Sequence, residues 1–206
     1  MITNYEKDEY GVIHQIEQVP FNYTPQYVSY YDNDERAALS KQMAHLRYGY
    51  IKGSIGKFNS VLDVGFGNGD FLSVASNEVD TGGYDVFENL CLPDKSKFVD
   101  DIFKDEWDVV TFFDSYEHMK DISILNRIKT KYLVISLPWC HYVSDDWFKN
   151  WKHRKPNEHL HHFDLNSLVQ YVTAQGYSYV THSNIEDIIR KPVDGLPNIL
   201  TTVFKN

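Results

Sequence analysis

VLDVGFGNGD, residues 61–70, runs a short apolar, β-branched segment into three alternating glycines, Gly65, Gly67 and Gly69. The first half reads as a buried strand and the glycines as a turn. GDFLSVASNE, residues 69–78, follows as a helix. Strand, glycine turn and helix together open a Rossmann-like unit, and the turn falls at the carboxyl end of the strand, where open α/β sheets bind ligands.

Outward from this stretch the same alternation continues. Asp34 to Ile55 places Leu39, Met43, Leu46 and Tyr50 at helical spacing, with Asn33 or Asp34 as cap. Strands are expected near 83–86, near 97–99, over WDVVTFFD (107–114), KYLVISLPW (131–139), YSYVTHSN (177–184) and LPNILTTVFK (196–205). HMKDISILNRI (118–128) reads as a helix, and DLNSLVQYVTAQGY as another, capped by Asp164 or Asn166 and stopped at Gly176. Strands alternating with helices imply an α/β fold, a three-layer sandwich with a mostly parallel sheet. Residues 1–32, rich in tyrosine and broken by Pro20 and Pro25, read as an irregular N-terminal arm or lid, leaving 33–206 as one domain. No internal repeat is visible.

Composition narrows the function. A chain of 206 residues with 42% hydrophobic and 24% charged residues has the balance of a soluble globular domain. A formal net charge of -9 repels a phosphate backbone, so nucleic acid is a poor partner. The basic run KNWKHRK (149–155) reads as a solvated face or the rim of a pocket for an anionic small molecule. The start carries no cationic segment followed by an apolar stretch, and the apolar runs match strands rather than a bilayer span. Cys91 and Cys140 have no metal-type spacing and fit a reducing, cytoplasmic setting.

Glycine lets the backbone approach a ligand closely. A helix start after the turn offers free N–H groups to a carboxylate. Asp63 can accept from the loop or from a ligand ammonium group, and Asp85, sixteen residues beyond Gly69, can accept from both ribose hydroxyls. The glycine spacing is G-x-G-x-G rather than the dinucleotide G-x-G-x-x-G, which argues against NAD.

VLDVGFGNGDFL, then GGYDV, FVDDIF, WDVVTFFDSYEHM and YLVISLPW in that order, resembles the seven-stranded class I S-adenosylmethionine-dependent methyltransferases over roughly residues 35–206. Within that family it is most similar to small-molecule branches with D-x-x-E-H after the fourth strand and E-H-L-H-x-F before a later helix. The resemblance implies a seven-stranded sheet with an antiparallel last strand, S-adenosylmethionine as cofactor and S-adenosylhomocysteine as product. It assigns Asp63, Gly65, Gly67, Asn68 and Gly69 to the loop, Asp85 and Val86 to the ribose end, Asp101 with Ile102 to the adenine border, and Asp114 with Ser115 to the methionine portion. Phe66 stands where the family commonly has a small or polar residue.

Methyl transfer needs an oriented acceptor and, for a hydroxyl or amine, removal of its proton. His141 and His161 are the expected proton acceptors; His118, Trp139, His162, Tyr27 and Tyr31 are expected around the acceptor. Glu117-His118 and Glu158-His159 read as a paired polar network between loops, with the carboxylates holding the rings, and His118 and His159 as bridges. A metal on His159, His161 and His162 is disfavoured because neighbouring residues must bend sharply to share one ion, so no metal is expected. The acceptor is expected to be a small molecule receiving the methyl group on oxygen or nitrogen, with no membrane partner. Cofactor binding without transfer, and methylation of nucleic acid, are the rival readings. The oligomeric state is not readable.

Overall fold

The computed structural model describes residues 2–20, 34–87, 92–192 and 195–206. Continuous apolarity builds the centre of the sheet. In β3 (Ser60–Val64), β6 (Trp107–Phe113), β7 (Thr130–Pro138) and β10 (Ile199–Lys205) nearly every residue is buried, as expected of strands covered on both faces. The edges carry the polar sequences: β5 (Ser96–Phe98) and β9 (Ser178–Ser183) are largely exposed. With β4 (Asp80–Tyr84), these strands form a sheet in the order β5-β4-β3-β6-β7-β10-β9, in which β10 runs antiparallel to both its neighbours and the other pairs are parallel. This is the α/β three-layer sheet expected from the sequence.

Alternate residues along the central strands feed two cores. Leu62, Val110, Phe112, Leu133 and Ile135 pack on one face with Leu168 and Val172 of α3 (Leu165–Ala174). Val61, Val109, Phe113, Val134 and Val203 pack on the other with α1 (Asp34–Ile55) and α2 (Asp70–Ala75). The buried stripe of α1 is Met43, Ala44, Tyr48 and Ile51; of the expected residues Met43 lies on it, Leu46 and Tyr50 are half-buried beside it, and Leu39 is 42% exposed. Small Ala44 and amphipathic Tyr48 occupy the inner face, so a stripe chosen from the largest apolar residues only partly matches the true one. β4 contains the weak strand sequence DTGGY because a Cβ on Gly82 would overlap the Trp107 ring, and one on Gly83 would come 2.7–2.8 Å from Leu92, Leu72 and Phe66.

Two local expectations change. HMKDISILNRI is not an α-helix; it forms 3-10 turns at Tyr116–His118 and Ile122–Arg127. Asp121 caps the second by accepting from the Ser123 N–H at 2.9 Å, and Ile122 and Leu125 bury themselves at the i, i+3 spacing of that helix. Residues 2–20 are not irregular: β1 (Tyr5–Lys7) and β2 (Ile13–Gln15) form a hairpin that extends through β2 onto β8 (His161–His162). Asp8 shapes the hairpin turn by accepting from the N–H groups of Tyr10 and Val12, and Gly11 takes φ +90°. The rest of the arm, including Tyr27 and Tyr31, lies outside the described residues. α3 follows its expected signals, with an Asp164–Ser167 capping box and Gly176 at φ +103° after its end. Among the described residues, no helix is long and apolar enough to cross a membrane.

Candidate active site

β3 ends at Val64 and the chain turns through Gly65 at φ +84°, where its N–H donates to the Tyr84 carbonyl at 2.7 Å. Any side chain there would collide: a Cβ would lie 2.5 Å from the Ser115 Cβ. Ser115, just beyond β6, donates its hydroxyl to the Val64 carbonyl at 2.5 Å, so three strand ends are tied through one turn. Gly67, at φ +55°, donates its N–H to Asp85 Oδ2 at 3.1 Å, and a Cβ on it would meet nothing within 4 Å. Gly69, at φ +76°, caps α2. Asn68 reaches Ser40 of α1 and Asp70, fastening the turn to both helices. α2 is only six residues long, and the N–H groups of Gly65, Gly67 and Gly69 already donate to Tyr84, Asp85 and Phe66, so the turn offers a ligand close backbone approach rather than a helix dipole.

Asp85 also accepts from the Phe87 N–H at 3.1 Å, and Val86 beside it is 71% exposed, an apolar side chain left open at the sheet edge. Asp63 is buried beneath the turn; its partner is the Thr111 hydroxyl at 2.7 Å, and burial pushes its carboxyl up to about 7. Asp101 is exposed in an Asx turn with Phe103, and Ile102 packs in the core. The structure therefore brings Asp63, Gly65, Gly67, Asn68, Gly69, Asp85, Val86 and Ser115 together, sets Asp101 beyond the next strand, and buries the Ile102 side chain.

Asp114 departs from its expected place. At φ +53° it turns its carboxylate to Arg190 Nη1 at 2.7 and 2.8 Å and to Arg47 Nη2 at 2.8 Å. Arg47 also forks onto Glu186, Nε to Oε1 at 2.8 Å and Nη2 to Oε2 at 2.9 Å, and Ser136 donates to the same carboxylate at 2.7 Å. Burial pushes the Asp114 carboxyl up, but the guanidinium groups of Arg190 and Arg47 more than offset this and hold it well below the usual carboxylate range. A carboxyl lowered on folding contributes stability above its unfolded value and loses it as pH falls toward its folded value. The melting temperature of the wild type is expected to drop as pH falls below about 4, and that of Asp114→Asn to drop less, in thermal melts across that range; parallel curves would contradict the assignment.

The histidines separate into different environments. His141, after β7, donates Nε2–H to the Pro197 carbonyl at 2.8 Å, which fixes Nδ1 as its basic nitrogen. Its ring stacks on Trp139 at 5.4 Å and lines a cavity of about 210 Å³ with Trp147, Trp151, Lys152 and Asn198. Part of the basic run 149–155 is thus pocket rim. His161 is not placed as a base: Nε2 donates to the Met119 carbonyl at 2.8 Å, and Nδ1 meets His14 Nδ1 at 2.8 Å, so both nitrogens join the hairpin to the core. Burial and neighbouring His14 bring it down to about 4. His162 is not presented to an acceptor either; it is packed among Tyr5, Phe148 and Trp151, and burial lowers it to about 3.

His118 lies edge-on to His159, with ring centroids at 4.7 Å. The Glu117 carboxylate does not hold the His118 ring, since Oε1 is 3.8 Å from Nε2; the Glu158 backbone bonds that ring instead, while the Glu158 carboxylate pairs with Lys155 at 3.1 Å. The Arg47–Glu186–Arg190 cluster was missed from sequence. Arg47 comes from α1, Glu186 from a 3-10 turn (Ile185–Ile188) before β10 and Arg190 from just beyond that turn; Glu186 and Arg190 stand at i, i+4, but no spacing links either to Arg47.

A family model described as a methyltransferase domain matches residues 32–182. The chain belongs to this methyltransferase family. No curated protein matches the methyltransferase by sequence. Its fold is similar to that of Burkholderia thailandensis 1,6-didemethyltoxoflavin-N1-methyltransferase, solved with 1,6-didemethyltoxoflavin and S-adenosylhomocysteine (TM-score 0.58, 15% identity, 99% of each chain covered). It is also similar to an S-adenosylmethionine-dependent methyltransferase from Clostridium acetobutylicum (TM-score 0.58, 12% identity, 87% of this chain and 97% of that one). The 16S rRNA methylase ArmA is a third likeness (TM-score 0.50, 15% identity, 81% and 85% covered). The methyltransferase is of class I and its cofactor is S-adenosylmethionine. The sheet edge fits that group: the open side of Gly67, the Asp85 carboxylate and exposed Val86 offer room for close approach, a hydroxyl acceptor and an apolar surface together.

Proposed function

We propose that this methyltransferase moves a methyl group to an oxygen or nitrogen of a small-molecule acceptor, with His141 as the proton acceptor. The observation that carries this reading is the His141 ring itself. Its Nε2 is committed to Pro197, its Nδ1 lone pair is basic, and it lines a cavity beyond β7, on the same edge of the parallel strands as the glycine turn. A volume of about 210 Å³ lies below the range of drug-sized pockets, roughly 300–1,000 Å³, and matches a small acceptor. The net charge of -9 and the small-molecule acceptor of the Burkholderia neighbour support the same class.

The cofactor supplies a methyl group on a sulfonium sulfur, which leaves little covalent work for the protein. In this reading Asp85 accepts from the ribose hydroxyls, the Gly65–Gly69 turn and Ser115 frame the amino-acid portion, and Val86 packs on the adenine. Asp63 keeps the turn anchored to β6 through Thr111. Trp139 holds the His141 ring flat against one wall, which limits the acceptor's approach to Nδ1. The buried Cys140 thiol, pushed up to about 12 by burial, serves packing and fits a cytoplasmic setting.

His141→Ala is expected to lower kcat by about 100-fold or more and to leave S-adenosylmethionine affinity unchanged. The measurement is S-adenosylhomocysteine release over a panel of hydroxyl and amine metabolites, with structured RNA in parallel. Undiminished turnover by the variant would remove His141 from the reaction. Turnover on RNA alone, falling steeply with salt, would replace the small-molecule reading by the one the ArmA likeness suggests.

A further inference from the structure

The 3-10 turn after β6 and the segment before β8 bring together Glu117, His118 and His159, three side chains that methyl transfer through His141 does not use. One ligand atom from each lies within 4.8 Å of the others. Glu117 is 1% exposed and His159 5%. Both Glu117 carboxylate oxygens and His159 Nδ1 are buried with no hydrogen-bond partner. Orphaned polar atoms in a dry interior are costly, at roughly 1–3 kcal/mol each and more for a charged group, and three on neighbouring side chains call for a shared partner.

We propose that Glu117, His118 and His159 bind a divalent transition-metal ion of the zinc class. Two imidazoles and one carboxylate are the donors such an ion prefers, whereas magnesium and calcium favour all-oxygen shells. Around a tetrahedral ion with bonds of roughly 2.0–2.1 Å, neighbouring ligand atoms stand about 3.3 Å apart. Glu117 Oε1 and His118 Nε2 are already 3.8 Å apart, so the pair closes on an ion by a small shift. Adjacency in sequence is no obstacle here, because the glutamate's longer side chain can swing toward the ring of the next residue.

The surroundings orient the ligands as metal sites require. The Glu158 backbone hydrogen-bonds the His118 ring, the kind of outer contact that holds a ligating imidazole in one orientation. The His118 and His159 rings meet at 73°, and His153 stacks beside His159 at 6.4 Å, nearly parallel. The backbone also closes the two segments together, since the Leu160 N–H donates to the Glu117 carbonyl at 2.9 Å. Three protein ligands leave a fourth position for water or for an acceptor heteroatom, the pattern of catalytic rather than structural zinc sites. The cluster begins three residues after Asp114, beyond the carboxyl end of β6 on the ligand-binding edge. The use of that fourth position by an acceptor rests on the methyl-transfer reading; ion binding itself does not.

The test is calorimetric titration of the full, tag-free chain, stripped with chelator, with Zn²⁺ alone and then with Co²⁺ alone. One ion per chain is expected, with a Co²⁺ visible spectrum of the intensity that marks four-coordinate nitrogen and oxygen ligation. Glu117→Gln and His159→Asn should each weaken binding by about 1,000-fold or more, beyond the roughly 10–100-fold that losing an outer contact causes. His45→Ala, on the exposed face of α1, should bind as the wild type does. No ion bound by the wild type, or a weak six-coordinate Co²⁺ spectrum, would overturn the proposal and leave buried water as the shared partner. Binding lost equally in His45→Ala would also overturn it, as adventitious surface coordination. Because the wild-type spectrum needs no variant to fold and no substrate to turn over, failure here is distinguishable from failure of the methyl-transfer reading.

Discussion

Gly65→Ala is expected to lower the melting temperature by about 5–15 °C and to weaken S-adenosylmethionine binding by about 100-fold or more. Two costs add. A non-glycine residue at φ +84° pays about 1–2 kcal/mol of backbone strain, and a Cβ placed 2.5 Å from that of Ser115 forces the turn or β6 to move, at about 1–3 kcal/mol. For a chain of this size each kcal/mol shifts the midpoint by about 2–4 °C. The movement falls on the turn assigned to the cofactor, so affinity suffers with stability. Gly67→Ala gives the contrast. Its φ of +55° is one that other residues visit, and its Cβ would meet nothing within 4 Å, so a loss of about 1 kcal/mol is expected with a similar loss of affinity, because the new methyl enters the cofactor's space. Scanning calorimetry and cofactor titration on both variants check this. Equal melting losses, or unchanged affinity in both, would show that the turn does not work as described.

Glu186→Ala is expected to destabilise the fold by about 3–5 kcal/mol. Glu186 is fully buried, and Arg47 is held by it through a two-point fork and by Asp114 through a third bond. Removing the carboxylate leaves a guanidinium, with 15% of its side chain exposed, one carboxylate partner that it shares with Arg190. It also removes the acceptor of Ser136 in the middle of β7. Part of the cost belongs to the stranded charge rather than to the pair, so Arg47→Met in the Glu186→Ala background should recover stability. Denaturant unfolding of the wild type, both single variants and the double variant measures this. A single-variant loss below about 1 kcal/mol, or losses that simply add, would contradict the linkage.

How much of this was legible in sequence depends on how local the signal is. VLDVGFGNGD carries its fold instructions within ten residues, because alternating glycines have few uses and each of the three takes positive φ. Asp85 was legible for the same reason: it follows the next strand at a distance set by one helix and two turns. The α1 stripe was read only in part, with Met43 on it and Leu39 off it, because side-chain size is a poor guide where a helix lies close to a sheet and small Ala44 fits inside. DTGGY was placed late, at 83–86, because glycines required by Trp107, Leu72 and Phe66 look like a turn when those contacts are unseen. His161 looked like a base because its sequence neighbours place it on the ligand edge. Only the pairing of β2 with β8 shows that His14 and Met119 occupy both its nitrogens. Glu186 and Arg47 meet across 139 residues, and a pairing of that span leaves no trace in a single sequence.

The most direct measurement is calorimetric titration of S-adenosylmethionine into the wild type and Asp85→Asn. The asparagine keeps an oxygen for the Gly67 N–H and so preserves the turn, while removing the charge that accepts from the ribose. One site per chain is predicted for the wild type, with affinity in the variant lower by about 10-fold or more, since hydrogen bonds to a charged acceptor contribute roughly 1.5–3 kcal/mol. Equal affinity in the two proteins, or no binding by the wild type, would contradict the claim that the turn and Asp85 hold the cofactor.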